Sequence, residues 1–232
     1  MTKYETVAND LANRINKNEF NETKKLPTED QLVEEYKVSK NTIRNAIKVL
    51  IKSGLLYPVQ GSGMFIRELR KYNTVFLSGT RGITKDHPGS QLINKCLTLD
   101  LIEADDNIAQ IMQCEIGTPI YYIERLRIVD GVPYALEYTY YNKDIIPYLN
   151  KDIVESSIYS YIKNDLRIAF GFADKYISCR KLSEKESQLL GLEQGDPSII
   201  IEDNVYLSNG NLFNSSHIIY NYKLAHFFMT AE

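Results

Sequence analysis

The stretch from Ser39 to Gly54, SKNTIRNAIKVLIKSG, restricts the possible folds of this chain more than any other feature. Serine and glycine at these ends are typical first and last residues of a helix. Apolar residues with helical spacing predict its buried face, namely Ile43, Ala46, Ile47 and Leu50. A basic stripe without any acidic residue lies away from that face and contains Lys40, Arg44, Lys48 and Lys52. Cations four residues apart repel each other mildly, so the stripe suits phosphate groups better than it suits the helix itself.

A second predicted helix ends only three residues before this one. It begins at LPTEDQLVEEY, where Thr28 and Gln31 have the spacing of a capping box. Two helices joined by so short a turn, with basic residues on the outer face of the second, indicate a helix-turn-helix. The apolar face of a further helix precedes them and comprises Tyr4, Val7, Ala8, Leu11 and Ile15.

Two short strand-like segments, LLYPV and MFIRE, follow the basic helix and flank QGSG. Gly61 and Gly63 permit a tight hairpin tip, which predicts the wing of a winged helix. A basic helix face can also be no more than a solvated surface. The wing favours DNA binding over that alternative.

The distribution of charge supports the same interpretation. The chain has a net charge of −3, yet residues 1–71 carry 13 Lys and Arg against 9 Asp and Glu. A local basic field on an acidic chain gives nucleic acid a direction of approach.

The N-terminus lacks the apolar core of a signal peptide, and no apolar run approaches the ~20 residues of a membrane span, so we expect a cytoplasmic protein that does not contact membranes. Three cysteines are too few and too scattered for a disulfide framework or a zinc site, and we expect reduced, mostly buried thiols at Cys96, Cys114 and Cys179.

The first part of the chain resembles the DNA-binding domain of the GntR family of bacterial repressors, through LPTE, SKNTIRNA, GLL and the glycines of GSGMFI. Asp30 stands where that family usually has a DNA-contacting arginine, and Lys40 also replaces an arginine. Because lysine cannot make the two-pronged contact of arginine with guanine, the operator sequence should differ from the family norm. The resemblance implies DNA contacts by Thr28, Lys40, Thr42, Arg44, Gly61 and Gly63. We expect Asn41, Lys48 and Ser62 to contact DNA as well.

An internal repeat predicts the second part of the chain. We expect a DNA-binding domain over 1–69, a linker over 70–76 and a second domain over 77–232. Two segments, beginning at Asp105 and Ser183, each read as a capped helix, a Gly-x-Pro motif, a strand, a tight turn and a strand. The turns are Asp130-Gly131 and Asn209-Gly210. Two such units predict one antiparallel sheet with approximate two-fold symmetry and helices on one face.

Two arginines distinguish the first repeat from the second. Arg125 and Arg127 lie on one face of a predicted strand and suit an anion, although a surface pair bound to neighbouring acids is the alternative. A two-residue turn would place Arg125 opposite Leu136, whereas a three-residue turn with a bulge would place it opposite Glu137. The second repeat has Asp203 and Val205 at the arginine positions.

This half resembles the UTRA effector domain of the HutC subfamily of GntR regulators, which has a chorismate-lyase-like fold. IERLRIVDGVPYALEYTYY and SSIYSYI carry the resemblance. The C-terminus departs from this resemblance, because Asn214 and YNYKLAHF stand where relatives have a glutamate and Tyr-Arg-Gly-Asp-Arg. We therefore expect a change in the part of the effector pocket that contacts the sugar. The resemblance implies an effector pocket lined by Ser78, Thr80, Arg81, Arg125, Arg127, Glu137, Ser157 and Tyr159.

These features predict an α+β protein that combines a winged helix-turn-helix with a UTRA domain. We expect a homodimeric repressor that binds a palindromic double-stranded DNA operator and responds to a small anionic effector, a sugar phosphate first, or else a non-phosphorylated carboxylate. An enzyme of chorismate-lyase type is the competing hypothesis. His87, His217 and His226 lie outside every motif, so we assign no catalytic residue, cofactor or metal.

Overall fold

The computed structural model describes residues 2–68, 74–79, 82 and 90–230. The chain divides into two compact units. The first comprises Met1–Tyr72 together with Phe76–Gly79 and Phe227–Glu232, and the second comprises Asn73–Val75 and Thr80–His226. The C-terminal segment therefore belongs to the same unit as the N-terminal helices.

The first unit is built on three helices, α1 (Lys3–Asn16), α2 (Glu29–Tyr36) and α3 (Lys40–Lys52). The capping box at α2 is confirmed, because the Thr28 hydroxyl accepts from the Gln31 amide and the Gln31 side chain accepts from the Thr28 amide. Ser39 caps α3 by accepting from the backbone N–H of Thr42. Gly54 follows α3 with a φ of +75°, as a left-handed helix end requires.

Strands β1 (Leu56–Val59) and β2 (Gly63–Ile66) form the predicted wing. The apolar faces predicted for α1 and α3 are buried, and they pack around Leu32 and Leu56. Strands β3 (Thr74–Phe76) and β10 (His226–Phe228) form a separate two-stranded sheet. Within the first unit, the Leu77 amide donates to the Phe228 carbonyl, and the Phe76 and Phe228 rings meet edge to face at 5.7 Å.

The described part of the second unit contains an antiparallel sheet with the strand order β4-β5-β6-β9-β8-β7. The two repeats confirm the expected symmetry, because β6 and β9 pair at the centre and each repeat occupies one half. The structure adds a strand before each repeated helix, since β4 and β7 also lie 78 residues apart. The strands are β4 (Leu92–Glu103), β5 (Pro119–Val129), β6 (Val132–Asn142), β7 (Phe170–Lys181), β8 (Pro197–Leu207) and β9 (Leu212–Asn221).

The two helices of the repeat lie on one face of the sheet, as expected, but the connection between the repeats adds helices on the other face. The repeated helices, α4 (Asp106–Met112) and α7 (Glu184–Leu190), pack on the face that includes Ile120 and Leu126. Helices α5 (Lys151–Glu155) and α6 (Ile158–Asn164) cover the opposite face, which includes Ile123. They belong to the connection between the repeats, so the repeat itself could not predict their side.

The cysteines are free thiols, but the expectation of burial was wrong. Cys96 and Cys114 are half-buried, and Cys179 is exposed on the edge strand β7. Among the described residues, no helix combines the length and apolar composition needed to cross a membrane.

Candidate DNA-binding surface and effector site

The exposed side of α3 carries the residues predicted to contact DNA. Lys40, Asn41, Arg44 and Lys48 are exposed, whereas the apolar residues between them are buried. A helix whose N-terminal polar residues project into solvent beside a wing has the geometry that reads a major groove. The sequence-based assignment of this face is therefore geometrically consistent.

Two cations of this face form ion pairs with the first turn of α2. Lys40 Nζ lies 2.8 Å from Asp30 Oδ1, and Arg44 Nε donates to Glu29 Oε2 at 2.9 Å. The short turn between the helices brings the two N-terminal ends together, and no sequence pattern signalled these pairs. Exposed ion pairs contribute about 0–1 kcal/mol, so phosphate groups can replace the carboxylates at little cost.

The hydroxyl groups on this surface already have local partners. Thr28 caps α2, and the Thr42 hydroxyl lies 2.9 Å from that of Ser39. Any DNA contact by Thr28 or Thr42 would therefore use the remaining capacity of a hydroxyl that is held in place. This arrangement fixes their positions relative to the cations of α3.

The wing tip consists of residues without bulky side chains. Gly61 and Gly63 have φ values of +73° and +107°, and Ser62 between them is exposed. A Cβ atom at Gly63 would lie 3.1 Å from Lys25 Cε, so this lysine runs beside the tip. Sequence reasoning missed Lys25 because it precedes α2 and reaches the wing only through the pairing of its backbone with Phe65.

In the second unit, a β-bulge sets the register of the two arginines. The turn is the two-residue Asp130-Gly131 type, because Val129 pairs with Val132. A register shift between Arg127 and Ile128 then places Arg125 opposite Glu137. Each of the two alternatives considered from the sequence was therefore correct in part, because the two-residue turn of the first occurs together with the bulge of the second.

Arg125 and Arg127 both bind Glu137, and we call these three residues the arginine cluster. Arg125 donates from Nε and Nη2 to the two carboxylate oxygens, at 3.1 and 2.9 Å. Arg127 donates to Oε2 from Nε at 3.0 Å and from Nη2 at 2.6 Å. The three side chains are only 2%, 6% and 4% exposed, which excludes the alternative of a surface pair.

The outer nitrogen atoms of the arginines bind neighbouring elements. Arg125 Nη1 donates to the Val154 carbonyl of α5 at 3.0 Å, and Arg127 Nη1 donates to Asn94 Oδ1 at 2.6 Å. Asn94 in turn donates to the Ser156 carbonyl at 2.7 Å. The cluster therefore connects β4, β5 and β6 to the segment that begins α6. Asn94 was not predicted, because its contact depends on strand register.

The charges of the arginine cluster do not balance. Burial alone would raise the pKa of Glu137, but the two guanidinium groups lower that pKa to about 2. Burial and the neighbouring Arg125 lower the pKa of Arg127. Two cations thus share one carboxylate, and the cluster carries one excess positive charge out of water.

The other predicted effector residues lie in different environments. Ser157 caps α6 by accepting from the Ser160 amide, and the Tyr159 hydroxyl donates to Asn214 Oδ1 at 3.0 Å. The arginine cluster acts electrostatically on the Tyr159 hydroxyl, whose pKa is raised chiefly by burial. Ser78 belongs to the first compact unit. Thr80 and Arg81 lie outside the described residues.

A row of buried polar side chains continues from the arginine cluster across the same sheet face, and we call it the polar strip. The hydroxyls of Thr139 and Ser216 lie 2.6 Å apart, and Asn214 Nδ2 donates to Thr139 Oγ1 at 2.7 Å. The strip ends at Asp203 on β8, which forms an ion pair with Lys175 on β7. Elsewhere on this sheet face, tyrosine, isoleucine, valine and phenylalanine side chains pack against α5 and α6.

No group of three or more His, Cys, Asp or Glu side chains suited to a metal ion occurs in the described part of the chain.

Comparisons with known proteins cover both units. Residues 87–224 match the UTRA domain family, and residues 3–66 match the family described as bacterial regulatory proteins, gntR family. A relative, the uncharacterized HTH-type transcriptional regulator YydK of Bacillus subtilis (strain 168), is 33% identical over 232 residues, which is 100% of this chain and 98% of the relative. The HTH-type transcriptional repressor NagR of the same organism is 28% identical, over 94% of this chain and 89% of that protein. The crystal structure of possible transcriptional regulator YydK superposes with a TM-score of 0.85 and 30% identity, covering 98% of this chain and 99% of that chain.

Proposed function

The chain belongs to the GntR family of bacterial transcriptional regulators, in the HutC-like group whose second domain is a UTRA domain, and from this premise we propose that it is a dimeric repressor released from its operator by a small anionic metabolite. The relatives are named as regulators and repressors, which removes support from the enzyme hypothesis. We propose that this repressor acts in the cytoplasm, where its operator DNA lies. A sugar phosphate is the first choice of effector.

The observation that carries this proposal is the excess positive charge of the arginine cluster. Leaving a buried charge uncompensated is costly, so an anion that neutralises it binds favourably. Each guanidinium has five N–H donors, and Arg125 and Arg127 each donate three hydrogen bonds to acceptors among the described residues. Donors therefore remain for the oxygen atoms of a phosphate or a carboxylate.

Two further residues of the proposed pocket belong to the same unit as the arginine cluster. Ser157 and Tyr159 lie at the beginning of α6, directly after the segment held by Asn94. The family resemblance also assigns Ser78, Thr80 and Arg81 a role in effector binding. The proposed domain boundaries remain 1–69, 70–76 and 77–232.

The proposed DNA-binding mode follows from the exposed face of α3. Arg44 and Lys40 exchange their carboxylate partners for base edges and phosphates, while the wing follows the adjacent backbone. A two-fold symmetric dimer would place two such helices on a palindromic operator. Effector binding would favour a dimer conformation with weaker operator affinity, by no more than the effector's preference between the two states.

Thermal unfolding of the full chain against a panel of metabolites tests the effector class. The panel pairs each sugar phosphate with its free sugar and adds carboxylates. A ligand at a hundred times its Kd stabilises the protein by about 2.7 kcal/mol. We expect the unfolding temperature to rise with a sugar phosphate and not with its free sugar. The same sugar phosphate should release the protein from a DNA duplex selected from a randomised pool.

Each other outcome has a distinct meaning. A shift with carboxylates alone would replace the sugar phosphate by a carboxylate effector. No shift with any anion would overturn the assignment of the arginine cluster as the effector site. Light scattering of the full chain tests the dimer separately, and a monomer at operator-binding concentration would contradict it.

A further inference from the structure

Asp203 occupies the same place in the second repeat as Arg125 in the first. The two residues are 78 positions apart, on the equivalent strands β8 and β5. Both lie on the sheet face covered by α5 and α6, since Arg125 contacts the Val154 carbonyl and Asp203 pairs with Ser216 of the polar strip. The symmetric fold thus places a cation at one end of the strip and a carboxylate at the other.

Only one of the two carboxylate oxygens of Asp203 has a hydrogen-bond partner in the described part of the chain. Lys175 Nζ donates to Oδ2, whereas Oδ1 is buried and has no hydrogen-bond partner among residues 2–68, 74–79, 82 and 90–230. The side chain is only 6% exposed. A buried acceptor without a partner costs roughly 1–3 kcal/mol, and more when it is charged. Such an atom in a folded protein requires an explanation.

The side chains between the two charged ends are suited to a polyhydroxyl compound. Thr139, Ser216 and Asn214 form a chain of hydroxyl and amide groups, and the Tyr159 hydroxyl reaches Asn214 from α6. The polar strip therefore extends a row of hydrogen-bonding side chains from the arginine cluster to Asp203.

The dimensions also suit a small metabolite. The guanidinium groups lie over Glu137 on β6, and β9 separates β6 from β8. Two strand spacings amount to about 10 Å, which is the scale of a monosaccharide with one terminal anionic group.

We propose that Asp203 Oδ1 accepts a hydrogen bond from a hydroxyl or ammonium group of the effector, at the end remote from its anionic group. This assignment rests on the proposed effector site and adds its second end. The ligand class is thus a monosaccharide-sized anion with a hydrogen-bond donor about 10 Å from its charge. Lys175 is a positioning residue, because its ammonium group holds the other carboxylate oxygen.

The test compares inorganic phosphate with a panel of hexose 6-phosphates by calorimetric titration of the full chain. We expect the wild type to bind at least one hexose phosphate more tightly than inorganic phosphate. Asp203→Asn, which preserves shape, should weaken that hexose phosphate by about 10- to 100-fold, the value of one hydrogen bond to a charged group. Its affinity for inorganic phosphate should stay within about two-fold of wild type, which also verifies that the variant is folded.

Glu202→Gln is the matched control, because Glu202 precedes Asp203 on β8 but is exposed on the opposite face. It should bind both probes as the wild type does. Equal hexose phosphate affinity of Asp203→Asn and wild type would overturn the Asp203 assignment alone. A wild type that prefers no hexose phosphate over inorganic phosphate would overturn it too, while binding of neither probe would instead refute the proposed anion site.

Discussion

Arg125 and Glu137 face each other across β5 and β6, and the guanidinium group binds both carboxylate oxygens at 2.9 and 3.1 Å. Arg127 binds the same carboxylate, so the loss of any one partner affects the other two. The pair is buried, and breaking a buried pair usually costs about 3–5 kcal/mol. The same contacts that hold a candidate anion site therefore stabilise the sheet.

Acid should destabilise the protein through Glu137. Its pKa is lowered from 4.5 to about 2, so its contribution is present above pH 4.5 and is lost as the pH falls toward 2. The contribution is roughly 3 kcal/mol, at 1.36 kcal/mol per pKa unit. Urea unfolding between pH 2 and 7 measures it. Glu137→Gln should be less stable at pH 7 and show a flatter slope below pH 4.5, whereas a slope equal to that of wild type would contradict the prediction.

Arg125→Ala should remove the effector response and preserve DNA binding. The substitution deletes the excess cation, while Arg127 still neutralises Glu137. We expect at least a ten-fold loss of affinity for the stabilising anion, measured by calorimetry, and unchanged affinity for a selected duplex. The unfolding temperature should fall because a buried pair is broken, but if DNA affinity also falls together with the response, the arginine is a structural residue only.

Arg44→Ala should eliminate sequence-specific DNA binding. Its exposed guanidinium can reach a base edge once it leaves Glu29, and a base contact of this kind is worth about 1–3 kcal/mol. Selection from a randomised duplex pool, followed by anisotropy titration, measures the loss. Lys163→Ala removes an exposed cation from α6 and serves as the control. Retention of the selected sequence by Arg44→Ala would disprove the assignment of α3 as the recognition helix.

Asp30→Asn should strengthen binding to DNA of any sequence. The Asp30 carboxylate holds Lys40 and repels phosphate, so its removal frees one cation. We expect the slope of log affinity against log salt to steepen by up to about one. Glu34→Gln, which removes another exposed carboxylate of the same helix, provides the comparison. An affinity equal to or lower than that of wild type would mean that Asp30 itself contacts DNA favourably.

Gly54→Ala should destabilise the first unit more than backbone strain alone would. Residues other than glycine pay about 1–2 kcal/mol at a φ of +75°, and the new Cβ would lie 2.7 Å from Phe228 Cε1. Gly210→Ala is the control, because its φ is +88° but no heavy atom of the described residues lies within 4 Å of the added carbon. Thermal unfolding of Gly54→Ala, Phe228→Leu and the double variant should reveal coupling between the two sites. Simple additivity would contradict the contact.

Local features of this protein were predictable because they depend on residues three or four positions apart. Thr28 and Gln31 form their capping box, Ser39 caps α3, and Gly54 ends it. The repeat was predictable for a related reason, since equivalent motifs 78 residues apart must fold into equivalent units. The family resemblance added the functional class, which no local pattern contains.

The amino-acid sequence by itself determined the elements, the repeated unit and the basic face of α3. Tertiary structure alone decided which charged groups meet. A bulge placed Arg125 opposite Glu137, a short turn brought Asp30 to Lys40, and strand order aligned Asp203 with the polar strip. These contacts, together with those inside the polar strip, join residues that are 10 to 77 positions apart, and strand register and helix packing decide whether such groups lie within hydrogen-bonding distance. A shift of one residue in register would turn the same side chains to the opposite face.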